Sequence, residues 1–526
     1  GNFDIVGQLN GRWSNDYKDG DGNVVPGSND TTKSGFLKAR WRLAPGHTLT
    51  GTYIGFNSKF EDQVDSEGAL RDTAVNNRQM TLGYTFTSPS NPLIDFNAKV
   101  YKNTTELEQI RKTSTSATQY DPSLFPFFPP APYPPAACAH IPGSTPIFVG
   151  QGACSSTTTF PSGSQRSFNV DTVGFDVHNT SRLNWGSTGL ALTYGGDLFR
   201  DRVNNFDPFE AGDELTPSGE RQVSGAFIQA HLKMFDTVDV IGAMRYDSYQ
   251  LESNTTQNSG ERVSPKATIG YTPLPGFTFF TTYAEGYRAP AVTETLISGV
   301  HVPPANFSLL PNPDLRPEVA HNLEAGLNVK LDGVIMRGDS FRAKFVAFRN
   351  KIEDYIDTVF IEGAFGPPIF SDDRIQYQNI NKAKLEGVEI EAAYDARQWF
   401  FGLAAHRIRG INEDTGAGLY NAPADQVTLT GGFRAFDEKL IAGARVKLVA
   451  AQDRFAETFS SSGLAVHEHS DGYALLDLFG QYQFNENAVM NLNIDNVFDK
   501  NYRQHLDQYN SPGLRARLGM TVRLGG

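Results

Sequence analysis

No stretch of this chain is long and apolar enough to be a transmembrane helix, which takes about 18 consecutive apolar residues or more. No charged n-region followed by an apolar h-region opens it. The first residue is Gly1 rather than methionine, so the expectation is a removed N-terminus, with a cytosolic protein as the alternative. Basic residues are the minority, 46 against 59 acidic ones, and the net charge of −13 argues against a nucleic-acid partner. Charged residues make up only 20% of the 526. No GxSxG, HExxH or Walker loop is present, so no enzyme signature stands out. A hydrolase would need a Ser/His/Asp set that sequence alone does not place.

Cysteine is also scarce. Cys138 and Cys154 share one polar, proline-rich segment and lie 16 residues apart. They are two free thiols or one disulfide, and an oxidising compartment favours the disulfide. Closing a loop of that size stabilises by about 3 kcal/mol in the chain-entropy model.

What the chain has is alternation. In KLIAGARVKLVA, Leu440, Ala442, Ala444, Val446, Leu448 and Ala450 share one face, while Ile441, Gly443, Arg445 and Lys447 share the other. The C-terminal stretch repeats this, with Ala516, Leu518, Met520 and Val522 against Arg515, Arg517, Gly519 and Thr521. About 20 such segments are legible. They begin near Phe3, Gly35, Thr48, Val75, Leu93, Arg166, Gly189, Gln222, Val238, Val263, Phe277, Ala320, Phe341, Ile375, Gln398, Gln426, Leu440, Asp471, Ala488 and Leu514. No amphipathic helix of convincing length competes with them.

The connectors alternate too. Short ones are LAPGH, SPSNP, NWGS, TPLPG, DARQ and FDEK. Long ones cover 14–33, 58–72, 105–163, 203–220, 288–318, 361–373, 412–424 and 453–467. A soluble sandwich has no reason to alternate so, whereas an outer-membrane barrel has short turns at one end and long loops at the other. Trp41, Trp185 and Trp399 lie within a few residues of short turns, where an aromatic girdle belongs. The expected fold is an all-β transmembrane antiparallel β-barrel. Strand parity adds one hairpin before Phe3, giving about 20 visible strands of 22, the number of the plugged transporters.

Three motifs agree: YAEGYRAP (283–290), NPDLRPE (312–318) followed by NLEAG, and NLNIDNVFDKNY (491–502). Together they resemble the signature boxes of TonB-dependent receptors. The box residues are Tyr287, Arg288, Ala289, Pro290, Asn312, Pro313, Asp314, Leu315, Pro317 and Glu318. Within that family the chain looks like the heme and hemoprotein receptors, hemophore receptors included. The resemblance implies outer-membrane location in a Gram-negative cell, TonB-energised import, contact with outer-membrane lipid, and heme as the transported ligand. It implies a hemoprotein or hemophore as the donor, and no enzymatic activity. Its axial heme ligand falls on His301, within SGVHVPPANF. Taken alone, His301 is a solvated loop histidine; under the resemblance it is the heme-iron ligand, because neutral imidazole suits that role. Prolines around it, Pro290, Pro303, Pro304 and Pro311 among them, limit the freedom of the loop.

The chain departs from the family pattern in having no plug, TonB-box or first hairpin within 1–526, and in ending LGG. The family's TonB contact and usual second heme ligand belong to the plug. A ferric-siderophore receptor, or a passive porin if the plug is truly absent, is the alternative. His467 and His469 form an HxH pair that reads as polar loop residues rather than a metal site, and His505 and Tyr502 are weaker candidates. FPFFPPAPYPPAA (125–137) reads as a partner-binding run or as a self-packed lid.

Overall fold

The computed structural model describes residues 2–63, 70–120, 145–149, 153–206, 217–253, 256–300, 308–361, 374–459, 465–507 and 509–523. All twenty segments read from alternation are strands, each starting within a few residues of its expected position. Each pairs antiparallel with its neighbour in sequence, from Phe3–Ser14 on Asp30–Ala44 to Ala488–Asp495 on Arg515–Val522. The sheet counts 22 strands because two short pieces of one loop, Gly299–Val300 and Ser308–Leu310, join it. No ladder joins the first long strand to the last among the described residues. Among those residues no helix is long and apolar enough to cross a membrane.

Register explains the alternation. Trp41 faces Leu49, Leu49 faces Tyr84, Tyr84 faces Ala98, and Ala98 faces Val177. Directly paired residues share a face, so one apolar surface runs around the sheet. Its members Leu37, Trp41, Leu82, Val100 and Phe175 are exposed. The opposite face carries residues such as Arg42, Thr50, Asn97 and His178, and is the polar interior. This is the inverse of a soluble core and the pattern of a lipid-facing wall.

The short connectors turn tightly. Gly46 in LAPGH holds φ at +81°, and a side chain there would overlap the Thr87 carbonyl oxygen. In FDEK, Phe436, Asp437 and Glu438 all take positive φ. Trp41, Trp185, Trp399, Tyr271 and Phe436 stand exposed beside such turns, forming the expected girdle.

Buried apolar clusters form at the loop end. Val203, Leu251 and Val292 pack with Phe168, Val170 and Leu296. Ile352, Ala383, Leu419 and Ala422 pack with Ala320, Tyr355 and Leu385. By alternation Val203, Leu251, Ile352 and Ala383 lie on the inward face, so the loops carrying Val292 and Leu419 fold into the mouth.

Candidate functional site at the barrel mouth

The two motif boxes meet in one clamp. Arg288 ends the strand Phe277–Arg288, directly across the ladder from Glu318. Its guanidinium donates to both Glu318 oxygens, at 2.6 and 2.7 Å, and to both oxygens of Glu294, at 2.9 and 3.0 Å. Such charge-assisted pairs are the stronger class of hydrogen bond. Glu318 also accepts from the Ile356 backbone N–H at 2.8 Å. Glu294 accepts from the Ala291 N–H at 2.8 Å, starting the short helix Val292–Leu296.

The rest of the boxes is pinned through backbone. Asn258 donates to the Pro313 and Leu315 carbonyls, both at 2.8 Å, and Leu315 is buried. Asn312 donates to the Tyr377 carbonyl at 2.9 Å, and its own N–H reaches the Thr295 carbonyl. The Asp314 N–H meets the Asn312 side chain at 3.3 Å. Asn379 accepts from the Arg316 N–H and donates to the Arg316 and Asp354 carbonyls. Pro290 is buried and Ala289 half-buried beside it. Gly260 makes room for all this: a Cβ there would sit 2.8 Å from the Tyr249 ring and 2.9 Å from the Tyr287 hydroxyl, with Pro317 at 3.4 Å.

His301 lies outside the described residues. What stands on either side of it is described: Gly299 and Val300 pair antiparallel with Leu309 and Ser308. Ser308–Leu310 also lies parallel to Arg374–Gln376, at the start of the third long strand onward, Arg374–Asp395. Cys138 and the run 125–137 also lie outside the described residues. Cys154 is placed only by its backbone, in the three-stranded sheet Thr115–Tyr120, Ala153–Phe160, Thr145–Val149 that rises from this loop.

Also at the loop end sits a cluster that alternation could not reveal. Tyr420, Phe455, His469 and His505 come from three loops. Phe455 lies 5.1 Å from Tyr420, 5.0 Å from His469 and 5.6 Å from His505, ring to ring. His505 Nε2 donates to the Tyr420 carbonyl at 2.6 Å, and His469 Nε2 donates to the Phe455 carbonyl at 2.8 Å. A carbonyl only accepts, so each neutral imidazole carries its proton on Nε2. His505 Nδ1 is buried with no partner. Tyr502 stacks near Tyr473 at 4.6 Å instead. Of the HxH pair, His469 also has Nδ1 3.5 Å from Glu457, and the His467 side chain is outside the described residues. Among the described residues no group of three candidate ligands could hold a metal ion.

Asp425 ties this side of the mouth to the wall. It accepts from Arg409 at 2.5 and 2.8 Å and lies 3.6 Å from Arg454. The Arg409 hydrogen bonds hold its carboxyl below the ordinary range, against an opposing desolvation. The loop after the first strand reaches the loop before the last one: the Tyr17 hydroxyl donates to the Asn510 carbonyl at 2.8 Å, and the Gly513 N–H to the Lys18 carbonyl at 2.9 Å.

A twenty-strand wall of this pattern, with signature boxes clamped at its loop end, defines a transport-receptor barrel. The family description "TonB dependent receptor-like, beta-barrel" matches residues 12–497, and the chain belongs to that family. The chain is 25% identical over 372 residues to the Heme/hemopexin utilization protein C of Haemophilus influenzae (strain 86-028NP), covering 66% of this chain and 50% of that protein. It is 27% identical over 353 residues to the Hemin receptor of Yersinia enterocolitica, covering 63% and 49%. The chain thus spans about half the length of the curated relatives it matches. Among solved structures, a double mutant of the Serratia marcescens hemophore receptor HasR, in complex with its hemophore HasA and heme, superposes with a TM-score of 0.76. That match has 18% identity and covers 99% of this chain and 76% of the receptor, so it speaks for the fold.

Proposed function

We propose that the protein is the barrel of an outer-membrane receptor that imports heme, taken up free or from a heme-carrying protein such as a hemophore. The observation that carries this reading is the clamp of Arg288 on Glu318 and Glu294, which anchors both ends of the loop bearing His301 at the mouth. The names of the curated relatives supply the cargo class. In this reading the whole chain, 1–526, is barrel. Gating and the contact with TonB belong to a plug outside it, and the protein performs no catalysis.

Heme is flat, largely apolar and carries an iron with open axial positions. His301 offers it a neutral imidazole from a loop whose stem is fixed on two sides, so little ordering remains to be done on binding. The clamp makes the loop base rigid without touching the cargo. Cys138 and Cys154 would close the large loop near the same mouth, where the proline-rich run 125–137 would meet the donor protein.

The test of function is growth. A Gram-negative strain lacking its own heme receptors, given the full-length receptor, should grow on heme as sole iron source. Growth on a ferric siderophore but not on heme would replace this reading with the siderophore one. Ion conductance with neither uptake would point to a porin.

A further inference from the structure

The loop between the two boxes, residues 289–317, leaves the wall from Phe277–Arg288 and returns on Glu318–Asp332, which pair with each other. Its contacts reach much further. On one side Val292 packs with Val203 and Leu251, which belong to Thr188–Phe206 and Val238–Glu252. Gly219 leaves room for this: a Cβ there would sit 3.1 Å from the Val292 side chain. On the other side Ser308–Leu310 lies along Arg374–Gln376. Six wall strands stand between Thr188–Phe206 and Arg374–Asp395. A loop rooted on two neighbours is therefore held by strands well to either side of them.

The contact with Arg374–Asp395 is a continuous seam. The ladder of that strand with Trp399–Asn412 ends at Ala383. Val359–Ile361 takes the opposite edge at 374–376, so Ser308–Leu310 covers the edge left open, as a parallel third strand. Side chains carry the seam past the ladder. Gln376 Nε2 donates to the Pro311 carbonyl at 2.9 Å, and Asn312 Nδ2 to the Tyr377 carbonyl at 2.9 Å. Asn379 accepts from the Arg316 N–H and donates to the Arg316 carbonyl, both at 2.8 Å. It also donates to the Asp354 carbonyl at 2.7 Å, which ties in the strand Ser340–Ile361. Asp354 holds φ at +53°, uncommon for a residue with a side chain, and its carboxylate accepts from Arg316 at 2.5 Å.

The bonds of Gln376 to Pro311 and of Asn379 to Arg316 join the loop to the wall, and none of them closes the wall itself. The ladders of Arg374–Asp395 with its neighbours stand without them. Their removal returns freedom to the loop, and a ligand bound there must then order it, so the loss falls on affinity.

We infer that Gln376 and Asn379 are positioning residues for cargo binding, holding the loop between the boxes from a strand that carries neither box. The inference rests on the reading of that loop as the cargo site.

The test uses the full-length receptor, with heme as the probe. Gln376→Ala/Asn379→Ala should weaken heme binding by about tenfold, and at saturating heme its Soret band should shift from six- toward five-coordinate. Gln376→Lys keeps a donor for the Pro311 carbonyl and should bind as the wild type does. Asn57→Ala, which loses a bond to Asn76 elsewhere on the wall, should also leave binding unchanged. Heat-modifiable gel migration checks that each variant keeps its barrel. In the absence of heme, hydrogen exchange at 308–317 should quicken in the double variant and stay slow in Gln376→Lys. Wild-type affinity and spectrum in the double variant would overturn the inference, as would equal weakening by Asn57→Ala. If the wild type itself binds no heme, the functional reading falls and exchange decides these contacts: faster exchange in the double variant keeps the positioning role, and unchanged exchange overturns it.

Discussion

The wall and the mouth of this barrel are held by different means. The wall is a repeat: every strand pairs with its neighbour, apolar residues face outward, and no single side chain decides the register. The mouth is built from individual contacts, in which one arginine or one asparagine ties several loops. At the seam the contrast is sharpest. Among the described residues the first and last long strands share no ladder, yet their loops meet through Tyr17, Lys18, Asn510 and Gly513. A wall of redundant ladders should tolerate side-chain change except where lipid forbids it, and a mouth of single clamps should not.

The largest expected effect tests the wall. Leu37 faces lipid well inside the apolar band, and Leu37→Arg should destabilise the barrel by about 2–4 kcal/mol. Reversible urea unfolding in lipid vesicles measures it, and a change below about 1 kcal/mol would place Leu37 outside the hydrocarbon.

Next comes the clamp. Arg288→Ala leaves Glu318 and Glu294 without their cation, costing on the order of 2–3 kcal/mol of local stability. Because the loss is local, hydrogen exchange should rise at 291–297 and 308–317 while the wall melts as before. A lowered barrel melting temperature with unchanged exchange would blur the division between wall and mouth.

Acid should sharpen it. The Asp425 carboxyl is held below its usual range, so the stability it lends is complete above the unfolded value and is lost as pH falls through the lower, folded one. At the opposite end, Asp339 is buried; against that desolvation, the N–H groups of Met336, Ile335 and Val334 and the Tyr394 hydroxyl hold its carboxyl at about 2. The loops around 413–425 should therefore loosen on acidification before the 333–339 turn does, as limited proteolysis at stepped pH would reveal. Simultaneous loosening would contradict the order.

The smallest effect belongs to the aromatic cluster. His469→Phe removes the hydrogen bond to the Phe455 carbonyl and the 3.5 Å contact with Glu457 but keeps a ring against Phe455, costing about 1 kcal/mol, visible only as faster exchange near 455.

The same division governs what the sequence discloses. Period-two alternation is a local property, so the strands starting near Thr48 or Ala488 are legible residue by residue, as are the short turns. The boxes around Arg288 and Glu318 are visible as motifs, but their meeting depends on a ladder between strands thirty residues apart. The partnership of Tyr420, Phe455, His469 and His505 depends on three loops folding inward, and no spacing announces it. A sequence signal for it is Leu419 beside Tyr420, the large apolar and aromatic residues of a loop otherwise made of small and polar ones.

The central claim is that the mouth holds heme through His301. The most direct measurement is a heme titration of the full-length receptor followed at the Soret band, wild type against His301→Ala. The account predicts a six-coordinate spectrum in the wild type that weakens in the variant. Absence of heme binding in both would contradict the cargo, and equal binding in both would take the site away from His301.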